Sequence, residues 1–150
     1  MDYNFLIKDL NKKPTQKLIG TDKGLAQIGD GIVNFTYSIA KSIILTRSSN
    51  FNNCIRTGKK VSKIILSNAL KNAGMRGFAR NRADAHDIAD TAEAIVAYVW
   101  LNNDMSMEQM IDFLADHLNG NLYDRKEEIE LATAAFTRLL AHLKQFLPEN

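Results

Sequence analysis

The chain has 150 residues, 45% of them hydrophobic and 24% charged, with two prolines and eight glycines. That balance suits one globular domain over residues 1–150 and excludes intrinsic disorder. No apolar run is long enough for a bilayer span, the N-terminus lacks a secretory layout, and the single Cys54 excludes an internal disulfide, so a cytoplasmic protein with no membrane partner is expected.

Helical periodicity runs through nearly the whole chain. Leu25, Ile28, Ile32, Phe35, Ile39 and Ile43 recur at steps of three and four, predicting a helix over residues 22–47 with this stripe on one face. Thr21 or Asp22 would cap it. Val61, Ile64, Ile65, Ala69, Leu70 and Ala73 predict a second helix that Gly74 ends. Residues 75–86, with Arg76, Arg80 and Arg82, read as an exposed basic loop. A third helix starts at Asp84 or Asp87 and runs through Ile88, Ala92, Ile95, Val96, Val99 and Trp100. Ser106 and Gln109 form a capping box before Met107, Met110, Ile111, Leu114 and Leu118. After the break at Asn119–Gly120–Asn121, a last helix runs from near Asp124 toward Pro148. Residues 1–20 and 48–58 give no clear pattern. With no alternating strand segment, the expected fold is an all-α bundle of about six to seven helices.

The net charge of +2 conceals a strong asymmetry. Residues 1–80 hold 14 Lys/Arg against 4 Asp/Glu, and residues 81–150 hold 5 against 13. No acidic residue lies between Asp30 and Asp84, a gap that contains Lys59, Lys60, Lys63, Arg76 and Arg80. Such a stretch suits a polyanion, because each cation near a phosphate releases condensed counter-ions. Mutual neutralisation of the two halves across a fold or a dimer interface is the other reading.

Three carboxylates occupy positions where a helix is expected to be buried. Asp30 lies opposite the Leu25/Ile28/Ile32 stripe, on a face that also bears Ala26, Val33 and Tyr37. Gly24, Gly29 and Gly31 surround it, each costing up to about 1 kcal/mol of helix stability, which suggests close approach of a backbone or ligand. Asp90 and Glu93 share one helix face at a spacing of three, with His86 on the same stripe, ahead of the uninterrupted apolar run Ala94–Leu101. Neither has a basic partner one turn onward. Buried carboxylates need a cation, a proton or a hydrogen-bond network. Converging on a divalent ion, they would favour Mg²⁺ or Mn²⁺. The alternatives are that Asp30 caps a neighbouring helix or meets an arginine, and that Asp90 and Glu93 complement a helix N-terminus. His86 reads better as a helix-start residue than as a fourth ligand. His117 and His142 fall at surface-like positions.

GLAQIGDGIV (residues 24–33) resembles the first signature of the ribonuclease III family, and DIADTAEAIVAYVWL (residues 87–101) resembles its second. Their order, their separation of about sixty residues and the basic helix between them are similar to the family as well. The resemblance implies an all-helical endonuclease domain acting as a homodimer on double-stranded RNA with Mg²⁺, Mn²⁺ being able to substitute. It assigns Asp30, Asp90 and Glu93 as catalytic and metal residues, with Glu93 the principal ligand. Lys59, Lys60, Lys63, Arg76, Arg80 and Arg82 would bind RNA. Where the family usually has a glutamate, this chain has Ala26, and a compact subclass similar to it in lacking the double-stranded RNA-binding domain also carries a small residue there; a further, often acidic, position is Lys23. The expected function is therefore a metal-dependent endoribonuclease of RNA processing, with a separate RNA-binding or ribosomal protein as a further candidate partner. The alternative is a catalytically inactive RNA-binding or ribosome-associated module on the same fold. A carboxylate bundle with other metal chemistry is disfavoured, since no Glu-x-x-His step occurs.

Overall fold

The computed structural model describes residues 2–150. These form six α-helices and no strand: α1 (Gln16–Gly20), α2 (Lys23–Ser48), α3 (Lys63–Asn72), α4 (Ala85–Leu101), α5 (Met107–Asp116) and α6 (Arg125–Leu143). Short 3-10 turns lie at Asn4–Ile7, Leu10–Lys12, Arg76–Phe78 and Lys144–Phe146. The residues that start and stop these helices are largely those that satisfy free backbone groups. The Asp22 carboxylate accepts from the Leu25 N–H at 2.8 Å, and Asp84 and Ser106 head capping boxes with Asp87 and Gln109. Gly74, at φ +72°, supplies the left-handed step that ends α3.

α4 is the central element, packed against α2 and α3 and also touching α1 and α6. Ala89, Ala92, Ala94 and Ala97 are all buried and let its neighbours come close. The tightest approach is at Gly29 of α2, where an added Cβ would lie 1.8 Å from the Glu93 carbonyl oxygen. The close contact expected around Asp30 is therefore real, but only one glycine makes it. Gly31 faces open space, and a Cβ at Gly24 would meet only Asp22 Oδ1, at 3.4 Å.

The apolar stripe anticipated on α2 divides between the core and the surface. Ile28, Phe35 and Ile39 are 39%, 52% and 38% exposed, while Leu25, Ala26, Ile32, Val33, Tyr37, Ala40 and Ile44 face the core. Both faces are apolar, and the core takes the one bearing Gly29, where α4 comes closest. The basic loop is also less open than expected, since Met75, Phe78 and Ala79 are buried within it.

Residues 55–61 hold an arrangement the sequence pattern did not suggest. Asn34, Ser38, Ser42 and Thr46 form an i, i+4 row on α2, and their side-chain oxygens accept from the N–H groups of Val61 (2.8 Å), Lys59 (2.8 Å), Thr57 (3.0 Å) and Ile55 (2.9 Å). The three hydroxyls also donate back to the carbonyls of Lys59, Thr57 and Ile55. Four residues of helix advance about 6 Å, and two residues of extended chain about 6.7 Å. The two registers therefore stay in step, and the segment runs antiparallel along α2, bringing Lys60, and Lys63 just after it, to the pocket that holds Asp30. Farther along α2, the buried Glu128 of α6 receives Tyr37 Oη at 2.8 Å, Lys41 Nζ at 2.8 Å and Arg125 Nη1 at 3.1 Å. Burial opposes its ionisation, but Lys41, Tyr37 and Arg125 outweigh that and hold its carboxyl below the usual range.

Candidate active site

The Gly29–Glu93 backbone contact decides the site. It places Asp30, the next residue of α2, beside the Glu93 side chain of α4, and the two line one pocket. Asp90 lies one helical turn earlier on α4, on the same face. Glu93 is 2% exposed, whereas Asp30 and Asp90 are half-buried. The three acids, with Asp30 on α2 and Asp90 and Glu93 60 and 63 residues later on α4, line one pocket.

Lysines from α2 and α3 sit against two of them, which spacing along α4 could not reveal. Lys63 Nζ, from the first residue of α3, sits 2.8 Å from Glu93 Oε1 and 3.0 Å from Asp90 Oδ1. Lys23 Nζ reaches Asp90 Oδ2 at 3.4 Å, and His86 Nδ1 lies 3.6 Å from the same oxygen. Asn34 donates to Asp30 Oδ1 at 3.3 Å while accepting from Val61, tying the acid to the extended segment. Burial pushes the Glu93 carboxyl up to about 7, the hydrogen bond with Asp30 adds to this, and Lys63 opposes it. Asp30 is held below the usual carboxylate range, first by that same hydrogen bond and then by Lys60 and Lys63. For Lys63, burial works against the charge, but the bonds to Glu93 and Asp90 prevail and raise its affinity for the proton.

The acids open into a pocket of about 390 Å³ that Lys23, Lys60, Lys63 and His86 also line. Ala26 lines the wall where the resemblance has a glutamate. Of the six anticipated RNA-binding residues, Lys60 and Arg82 are exposed and Lys59 and Arg76 are half-buried at the surface. Arg76 donates to the Arg80 carbonyl at 3.2 Å. Two have acidic partners: Arg80 pairs with Asp87, and Lys63 lies within the acid cluster itself. His86 is exposed on the first turn of α4. His117 and His142 are remote; both stack against Phe113, with ring centroids 4.6 and 5.1 Å away. Asn34 was not anticipated in the site, and Lys23 stood out only as a departure at an often acidic position.

Among the described residues, no set of three or more His, Cys, Asp or Glu side chains is arranged to hold a metal ion as it stands. The donor chemistry nevertheless suits a hard divalent cation: carboxylate oxygens only, from one fully and two half-buried acids, with a cation already between two of them.

A family model for ribonuclease III matches residues 23–148. The chain belongs to the ribonuclease III family. The matched span runs from the start of α2 past α6 and contains all three acids. A ribonuclease III domain supports an endoribonuclease, and the family acts on double-stranded RNA and is generally dependent on divalent metal. None of the curated proteins matches the chain. Among the described residues, no helix of this ribonuclease III domain is long and apolar enough to cross a membrane.

Proposed function

We propose that the chain is a metal-dependent endoribonuclease that hydrolyses phosphodiester bonds in double-stranded RNA as a homodimer, in cytoplasmic RNA processing. The observation that carries this reading is the meeting of buried Glu93 with Asp30 and Asp90 in an open pocket edged by Lys60 and Lys63. Glu93 and Asp90 would hold Mg²⁺, or Mn²⁺ in its place. Such an ion supplies Lewis-acid stabilisation of charge developing on the phosphate. Asp30, ionised and held by Asn34, orients a water toward the phosphorus. Lys60, Arg76 and Arg82 draw the RNA backbone to the pocket by charge. Shape and 2′-hydroxyls, rather than base sequence, select the duplex.

The homodimer reading draws on the exposed row Ile28, Phe35 and Ile39 on α2, large apolar side chains that a second copy would cover. A two-fold axis there gives two sites, one for each strand. Purified protein incubated with labelled duplex RNA should cleave it only with Mg²⁺ or Mn²⁺, and Glu93→Gln should lower the rate by about a hundredfold or more while folding is retained. Undiminished cleavage by that variant would reject the assignment.

The second reading, an inactive RNA-binding module, is favoured by Ala26 at the glutamate position and by Lys63 bridging Asp90 and Glu93. It predicts salt-sensitive duplex binding with no cleavage under any metal condition.

A further inference from the structure

We propose that Lys63 is the resident counter-ion of the carboxylate site, an ammonium that holds Asp90 and Glu93 together and must withdraw before a divalent cation can take their oxygens. The inference rests on the metal-dependent reading above and goes beyond it by assigning the apo site a built-in competitor. Lys63 Nζ occupies the space between Asp90 Oδ1 and Glu93 Oε1, at 3.0 and 2.8 Å. A Mg²⁺ ion would sit about 2.1 Å from the same oxygens. An ammonium and a divalent ion cannot both fit between that pair without two cations in near contact, so the two are mutually exclusive.

The position of the lysine argues that the bridge has a use besides holding the fold. Lys63 is the first residue of α3, where the helix dipole disfavours a cation, and the first turn of α3 has no acidic residue to compensate. Its compensation comes from α4, 27 and 30 residues away. The backbone beneath it is fixed: Val61, two residues earlier, is buried and bonded to Asn34. The side chain is 34% exposed at the pocket. An anchored Cα with a long flexible stem lets the ammonium swing outward into the pocket without moving α3. Removing it uncovers two carboxylates on one helix face, and adds a positive charge to the wall where a substrate phosphate would lie.

The test needs no RNA. Acetic anhydride labelling of the wild-type chain, read by mass spectrometry, should modify Lys63 several-fold faster in Mg²⁺ than in EDTA, with exposed Lys71 unchanged. In parallel, Mn²⁺ binding followed by electron paramagnetic resonance should tighten about tenfold or more in Lys63→Met relative to wild type, and stay near wild type in Lys63→Arg. Binding by Lys63→Met where wild type binds none supports the proposal equally. If wild type binds Mn²⁺ but Lys63 labelling is unchanged and Lys63→Met binds no more tightly, the counter-ion role is wrong and the metal reading stands. If neither protein binds Mn²⁺, the metal reading falls and this inference falls with it. Should Lys63→Met not fold, the wild-type labelling alone decides.

Discussion

Replacing Gly29 by alanine sets two effects of opposite sign against each other. In a helix interior alanine is favoured over glycine by about 1 kcal/mol, so propensity alone predicts a gain. Against it stands the contact with α4, where the new Cβ would lie 1.8 Å from the Glu93 carbonyl oxygen and 2.4 Å from its carbon. Ordinary contact begins near 3.4 Å, so the two helices would have to part by about 1.6 Å. Both obstructing atoms are backbone, and no flexible side chain can move aside. Separation would loosen the packing of Ala26, Val33, Ala92 and Ala97, which are at most 7% exposed. Overpacking of a core costs about 1–3 kcal/mol, and a rigid backbone clash belongs at the upper end. The net expectation is a loss of roughly 2 kcal/mol or more, or about 4–8 °C in melting temperature for a domain of this size. Gly31→Ala, whose Cβ would enter open space, should instead gain about 0.5–1 kcal/mol. Guanidinium denaturation of both variants measures this directly. A Gly29→Ala protein as stable as wild type would refute the close approach that brings Asp30 to Glu93.

Other outcomes follow from separate parts of the molecule. Glu128→Gln leaves Lys41 without its buried partner and should cost about 3 kcal/mol in denaturant unfolding. Because the folded carboxyl of Glu128 is held below its ordinary value of 4.5, its contribution is present above that pH and is lost as the pH falls through the folded value. The variant's stability should therefore change less between pH 5 and 3 than wild type does, and parallel acid limbs would contradict the network. Phe35→Glu places a charge on the exposed α2 row and should shift the mass measured by light scattering from dimer to monomer; an unchanged mass would move the dimer interface elsewhere. Lys60→Ala should weaken duplex RNA binding across all sequences alike and reduce the slope of log affinity against log salt by about one, and an unchanged slope would place Lys60 off the phosphates.

The helices were readable because caps and periodicity are local. Asp22, Asp84, Ser106 and Gly74 each act within a few residues of where they stand. The direction of α2 was harder, since both of its faces are apolar and the deciding fact is the close approach of α4 at Gly29. The three acids were legible through the two short motifs around Asp30 and Asp90. The lysines against Asp90 and Glu93 were not, because Lys63 and Lys23 arrive through tertiary packing, 27 or more residues from the groups they meet. The row Asn34, Ser38, Ser42 and Thr46 shows the same limit. Four polar residues at helical spacing look like an ordinary solvated face until the extended segment 55–61 is laid along them.

Anomalous diffraction from a crystal soaked in Mn²⁺ bears most directly on whether the carboxylates of α2 and α4 form a metal site. A peak is expected at coordination distance from Asp90 and Glu93 oxygens, with the Lys63 ammonium withdrawn. No peak at saturating Mn²⁺, with Lys63 still bridging both carboxylates, would contradict it.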